Sequence, residues 1–149
     1  MNDFLELAKE EARIAMSKGE IPVGAVIVKD GVVIGKAHNL KETLKDSTAH
    51  AEILAIKEAS KYIGDWRLGG TEMYVTLEPC PMCASAIVQS RISKIYIGTF
   101  NKDMGACGSV INLLDDMRLD NFVSTKWLYD SECSKMLTEF FDNRRKKDL

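Results

Sequence analysis

Two prolines bracket the stretch that most constrains this chain, Pro79-Cys80-Pro81-Met82-Cys83. Proline has no backbone N–H, yet it is favoured at the first helical position, where that N–H has no partner in any case. Pro81 therefore predicts a helix start, with Cys80 as N-cap and Cys83 at the third helical position. Side chains at those two positions converge beyond the helix end. Two thiols thus meet at a helix mouth, where unpaired N–H groups and the positive end of the helix dipole favour thiolate, the form that binds metal. Taken alone, C-x-x-C also fits a redox pair or two buried thiols.

The flanking pattern sets the fold class. Residues 3–17 show helical apolar periodicity behind a D-x-x-E capping pattern (Asp3, Glu6), and Gly19 ends that helix. The apolar runs 23–28 and 32–37 flank Asp30-Gly31, a tight-hairpin signal. Residues 38–47 read as a loop and 50–62 as a helix capped by Ser47 or Thr48. Strands are expected at 71–77, 92–100 and 122–127, and helices at 81–89, 110–117 and 131–145. Strands alternating with helices predict an α/β fold, and the opening hairpin makes its sheet mixed.

At 149 residues the length predicts a single domain, 1–149, and 46% hydrophobic with 28% charged residues excludes a disordered chain. Four cysteines are too few to staple it. A formal charge of −2 excludes a strongly basic nucleic-acid-coating protein. Charged residues from Asp3 onward leave no signal peptide at the N-terminus, and nowhere do about 18 apolar residues run together. A cytoplasmic protein with no membrane partner is expected.

His50 and Glu52 sit in the first turn of their predicted helix. Residues two apart share no helix face, so both reach one centre only from a helix end pointed at it. His50 supplies a third donor suited to a soft divalent ion such as zinc. Three protein ligands leave one tetrahedral position for water, the catalytic arrangement, and place Glu52 as a proton shuttle.

His50-Ala51-Glu52 followed by Pro79-Cys80-Pro81-Met82-Cys83 resembles the zinc-deaminase signature H-x-E…P-C-x-x-C. Further stretches resemble the bacterial tRNA-specific adenosine deaminases: Ile21 to Val26, Ala37-His38-Asn39-Leu40, Thr48 to Glu52, Val75 to Cys80, and Gly105 to Ser109 followed by Asn112-Leu113-Leu114. The resemblance spans nearly the whole chain. It implies a three-layer α/β/α cytidine-deaminase-like fold with a mixed five-stranded sheet, and one Zn2+ per subunit on His50, Cys80 and Cys83. It also implies Glu52 as general acid/base, adenosine-to-inosine conversion at the wobble position of a tRNA anticodon stem-loop, and a homodimer.

Asn39 matches the residue that hydrogen-bonds the flipped base, and Ala51 is placed among the substrate contacts. The chain departs from the family pattern at Ser47, where proline is common, and at Asn101, where aspartate is common. Asn101, beside the expected RNA path, is expected to loosen discrimination among nucleic-acid backbones. Residues 135–149 carry +2 against −4 on the rest, so Arg144 is expected to contact phosphate and Phe141 a loop base. Their alternative is a solubilising helix end with core phenylalanines. Two rivals remain from the sequence: a deaminase of a free base or nucleotide (cytosine, guanine or dCMP), and a structural zinc module taking a fourth ligand from Cys107, Cys133 or His38.

Overall fold

A computed structural model describes residues 3–147. Its elements are α1 (Phe4–Ser17), β1 (Gly24–Lys29), β2 (Val32–His38), α2 (Lys41–Leu44), α3 (Ala51–Ile63), β3 (Thr71–Leu77), α4 (Pro81–Gln89), β4 (Lys94–Thr99), β5 (Asp115–Asp116), β6 (Asn121–Phe122), β7 (Ser124–Trp127) and α5 (Ser131–Lys147). Five strands form one mixed sheet in the order β2-β1-β3-β4-β7, antiparallel on the β2-β1-β3 side and parallel from β3 to β7. Helices α3 and α4 cover one face, and α1 and α5 the other. Among the described residues, no helix is long and apolar enough to cross a membrane.

Local chemistry sets most of these boundaries. Asp3 accepts the Glu6 N–H at 3.0 Å and starts α1, and the Asp30-Gly31 turn has positive φ at both residues (50° and 77°), as the hairpin needs. Alternation along β1 then divides the core. Ala25 and Ile27 pack toward α3 and α4 with Met73, Val75, Ile95 and Ile97, while Val26 and Val28 meet Leu5, Ala8 and Cys133 on the other side. Across that second face Lys9 Nζ, nearly buried, bonds Asp130 at 3.1 Å and ties α1 to the start of α5.

Four expectations are corrected. Residues 110–117 are not a helix: the Val110 and Ile111 N–H groups both donate to the Gly105 carbonyl, Cys107 bridges Asn112, and β5 follows. The strand expected at 122–127 is split at Val123, whose N–H leaves the ladder for Leu114. Helix α3 is capped by neither Ser47 nor Thr48. Thr48 is bound through its N–H and hydroxyl to Asp46 (2.8 and 2.7 Å), and His50 takes the N-cap position. The loop expected at 38–47 also contains the single turn α2.

Helices approach the sheet closely because small residues face each other. Ala8 and Ala12 of α1 lie on Gly24, and Ala55 and Ala59 of α3 lie on Gly35, where an added Cβ would fall 2.5 Å from the Ala55 carbonyl oxygen. Backbone cannot yield as a flexible side chain does. Gly35→Ala is therefore expected to cost about 3 kcal/mol, the upper part of the overpacking range, read as a lower urea midpoint at unchanged slope.

Candidate metal centre and substrate cleft

The cleft lies where the parallel strands β3, β4 and β7 end, the usual ligand position of an open α/β sheet. Helices α3 and α4 both begin there. Their N-caps, His50 and Cys80, have extended backbones, and neither side chain caps its own helix. They turn toward one another instead. His50 Nδ1 lies 3.6 Å from Cys80 Sγ and 3.5 Å from the Sγ of Cys83, which sits one turn into α4 and is fully buried.

Tetrahedral zinc with nitrogen at about 2.0 Å and sulfur at about 2.3 Å separates those atoms by about 3.5 Å. The three donors fit that ion as they stand. Among the described residues, no fourth His, Cys, Asp or Glu joins them within 4.8 Å. His38 is engaged elsewhere, donating from Nδ1 to Glu11 at 2.9 Å and accepting from Lys18 at 3.0 Å on Nε2. Cys133 packs under α1 on the far face. Cys107 is a buried thiol outside the group. Three protein donors with an open fourth position make a catalytic rather than a structural zinc centre.

The donors share protons. The Cys83 thiol and the His50 ring stabilise a thiolate on Cys80 and hold its pKa down to about 4. The same contact, with burial, pushes Cys83 up, and the Cys80 sulfur raises His50. A divalent ion takes the place of those protons on binding. Glu52, second residue of α3, is 4% exposed, and burial pushes its carboxyl up to about 7, with the Cys80 charge adding to the rise. Such a group holds or releases a proton near neutrality.

The cleft has a volume of about 450 Å³ and is lined by Asn39, His50, Ala51, Glu52, Cys80 and Asn101, among others. That suits a small-molecule or nucleoside ligand. Asn39 is nearly buried; its side-chain oxygen accepts the Lys41 N–H at 3.1 Å and its amide donates to Ile21 at 3.4 Å, which holds it in the wall. The Asn101 side-chain oxygen accepts the Met104 N–H at 3.1 Å, so the neutral residue closes its own loop. Phe141 and Arg144 are not in the cleft. They lie on α5, across the sheet from α3 and α4, where Arg144 covers the Phe140 ring at 5.4 Å.

Two buried glutamates, neither marked by motif spacing, hold the walls. Glu20 accepts the Glu42 N–H (3.1 Å) and both the N–H and hydroxyl of Thr43 (2.6 Å each), and so fixes α2 beside Asn39. Glu78 takes the N–H of Asn101 (3.1 Å), Cys107 (3.0 Å) and Ser109 (3.1 Å), with the Ser109 hydroxyl at 2.5 Å. Both are 1% exposed. One signal for Glu78 was available in the sequence: a glutamate ending an apolar strand is buried, and a buried carboxylate needs donors.

A family model described as the cytidine and deoxycytidylate deaminase zinc-binding region matches residues 1–99. The chain is 47% identical to a tRNA-specific adenosine deaminase of Bacillus subtilis (strain 168) over 145 residues, covering 97% of this chain and 90% of the relative. It is 50% identical to that of Aquifex aeolicus (strain VF5) over 142 residues, covering 95% and 94%. A structure from a study of A-to-I editing by tRNA:A34 deaminases superposes with a TM-score of 0.86 at 41% identity, covering 90% of this chain and 98% of that one. Identity of this degree along nearly the full length of both chains, around a three-donor centre of the same zinc-binding type, shows that the chain belongs to the tRNA-specific adenosine deaminase family of zinc-dependent deaminases.

Proposed function

We propose that this chain hydrolyses the wobble adenosine of a tRNA anticodon loop to inosine, releasing ammonia. The observation that carries the proposal is the buried Glu52 beside the His50, Cys80 and Cys83 donors, in a chain matched over nearly its whole length by tRNA-specific adenosine deaminases. When bound, zinc supplies a Lewis acid that lowers the pKa of water and provides the nucleophile. The remaining work falls to the chain. Glu52 takes the proton released by water, delivers one to N1 of adenine, and serves the amino group as it leaves C6. Water's oxygen stays on C6 as the inosine carbonyl.

Substrate positioning is assigned to Asn39 at the base edge, to the Ala51 N–H in the unpaired first turn of α3, and to Asn101 on the opposite wall. A single-stranded loop suits such a cleft, because drawing a base from it avoids most of the unpairing cost of a duplex. Phe141 and Arg144 are proposed only as distant RNA contacts, since neither lines the cleft. A single domain, a homodimer and a cytoplasmic location complete the proposal. The rival free-base deaminase predicts equal ammonia release from free bases and from an anticodon stem-loop.

Glu52→Gln is expected to keep its zinc by metal analysis and to lose about 100-fold or more in inosine formation, the scale of a general acid/base; retained turnover would remove Glu52 from the mechanism. Glu78→Gln leaves the shape but removes the charge that collects four donors. It should raise KM for the RNA stem-loop and lower stability by about 2–3 kcal/mol, the cost of weakening buried hydrogen bonds to a charged group. Asn101→Asp should raise the rate on an RNA hairpin relative to a DNA hairpin; an unchanged ratio removes Asn101 from backbone discrimination.

A further inference from the structure

Three aromatic rings cluster at the same end of the sheet as the cleft. Phe100 follows β4, Trp127 ends β7, and Tyr129 lies two residues beyond. Ring centroids are 4.6 Å apart for Phe100–Trp127 with planes inclined by 32°, 6.5 Å and 25° for Trp127–Tyr129, and 5.6 Å for Phe100–Tyr129. Phe100 and Tyr129 are 43% and 68% exposed. Phe100 and Tyr129 thus expose ring surface to solvent, while the partly buried Trp127 packs against the core beneath them.

The cluster is joined to the cleft by loop 101–109. Phe100 directly precedes Asn101, whose side chain lines the cleft and whose N–H is held by Glu78. The Trp127 ring packs on Gly108 of the same loop, with Cζ2 3.5 Å from where a Cβ would stand. Tyr129 is held at φ 50°, an uncommon backbone for a bulky residue. Its neighbours pin it there: the Leu128 N–H bonds Ile97 and the Asp130 N–H bonds Gly98, both at 2.8 Å. A rigid backbone thereby turns the Tyr129 ring outward.

We infer that Phe100, Trp127 and Tyr129 form a stacking platform for an unpaired RNA base flanking the deaminated adenosine. The inference rests on the proposed deamination of an RNA loop and adds a second contact to it. A base drawn into the cleft obliges its neighbours to unstack, and exposed aromatic faces one loop away replace the lost stacking. Such stacking tolerates any base, since each has a π-face. The platform therefore contributes affinity for a splayed loop without reading its sequence.

The chain contains two tryptophans, so Trp66→Phe leaves Trp127 as the reporter. The probe is an RNA hairpin with one adenosine in a single-stranded loop, set against a blunt duplex of the same stem. Saturable quenching of Trp127 by the hairpin and not by the duplex is expected. The double variant Phe100→Ala/Tyr129→Ala should raise KM for the hairpin about tenfold, the effect of one lost base–aromatic stack, with a smaller change in kcat. Phe100→Tyr/Tyr129→Phe should restore KM. Turnover of the hairpin with no change in Trp127 emission overturns the platform and leaves the deaminase proposal standing. Quenching without inosine formation supports the platform and counts against that proposal. A rise in KM that tracks loss of self-association in sedimentation overturns the platform in favour of contact with a second copy of the chain.

Discussion

The N-termini of α3 and α4 meet at one point, and the rest of the site depends on that meeting. Each helix begins with a residue that could cap its own first turn but does not: His50 and Cys80 turn outward, and Cys83 joins them from the first turn of α4. Unpaired N–H groups and two positive helix ends then surround the place where anionic sulfur and a divalent ion belong. The aim of the helices comes from the sheet beneath. Alanines of α3 rest on Gly35 of β2, and the strands supply a rigid apolar floor of Ala25, Ile27, Met73, Val75, Ile95 and Ile97.

On this floor stand two walls made of irregular chain, each organised by one buried carboxylate. Glu20 gathers the backbone donors of α2, and Glu78 gathers those of loop 101–109. An ionised carboxylate buried without partners is costly, so each glutamate and its segment stabilise each other. Segments with little regular structure are thereby given a fixed shape, and with them the cleft-lining residues Asn39 and Asn101. The metal donors sit on helix ends and the cleft walls on clamped loops.

Much of the architecture was legible because its signals are local. The Asp30-Gly31 hairpin, the Asp3 cap, the proline-started α4 and the apolar strands β1 to β4 all depend on neighbouring residues, and the structure places them close to where they were read. Legibility failed where a distant partner decided. Residues 110–117 have helical spacing, but the Gly105 carbonyl takes the N–H groups of Val110 and Ile111. Thr48 is a good helix cap in isolation, but Asp46 engages it first.

By itself, the sequence determined the α/β order, the metal-binding residue types and the place of Glu52 in the same helix turn as His50, because helix starts and ligand spacing are properties of short segments. Only the tertiary structure decided that His50 reaches two thiols some thirty residues away at 3.5–3.6 Å, and that no fourth donor closes the centre among the described residues. It also decided that Glu20 and Glu78 are the struts of the cleft and that three aromatic side chains from two strand ends pack together. Those are facts about distance between chain segments, and nothing in a local pattern encodes how far apart two segments come to rest.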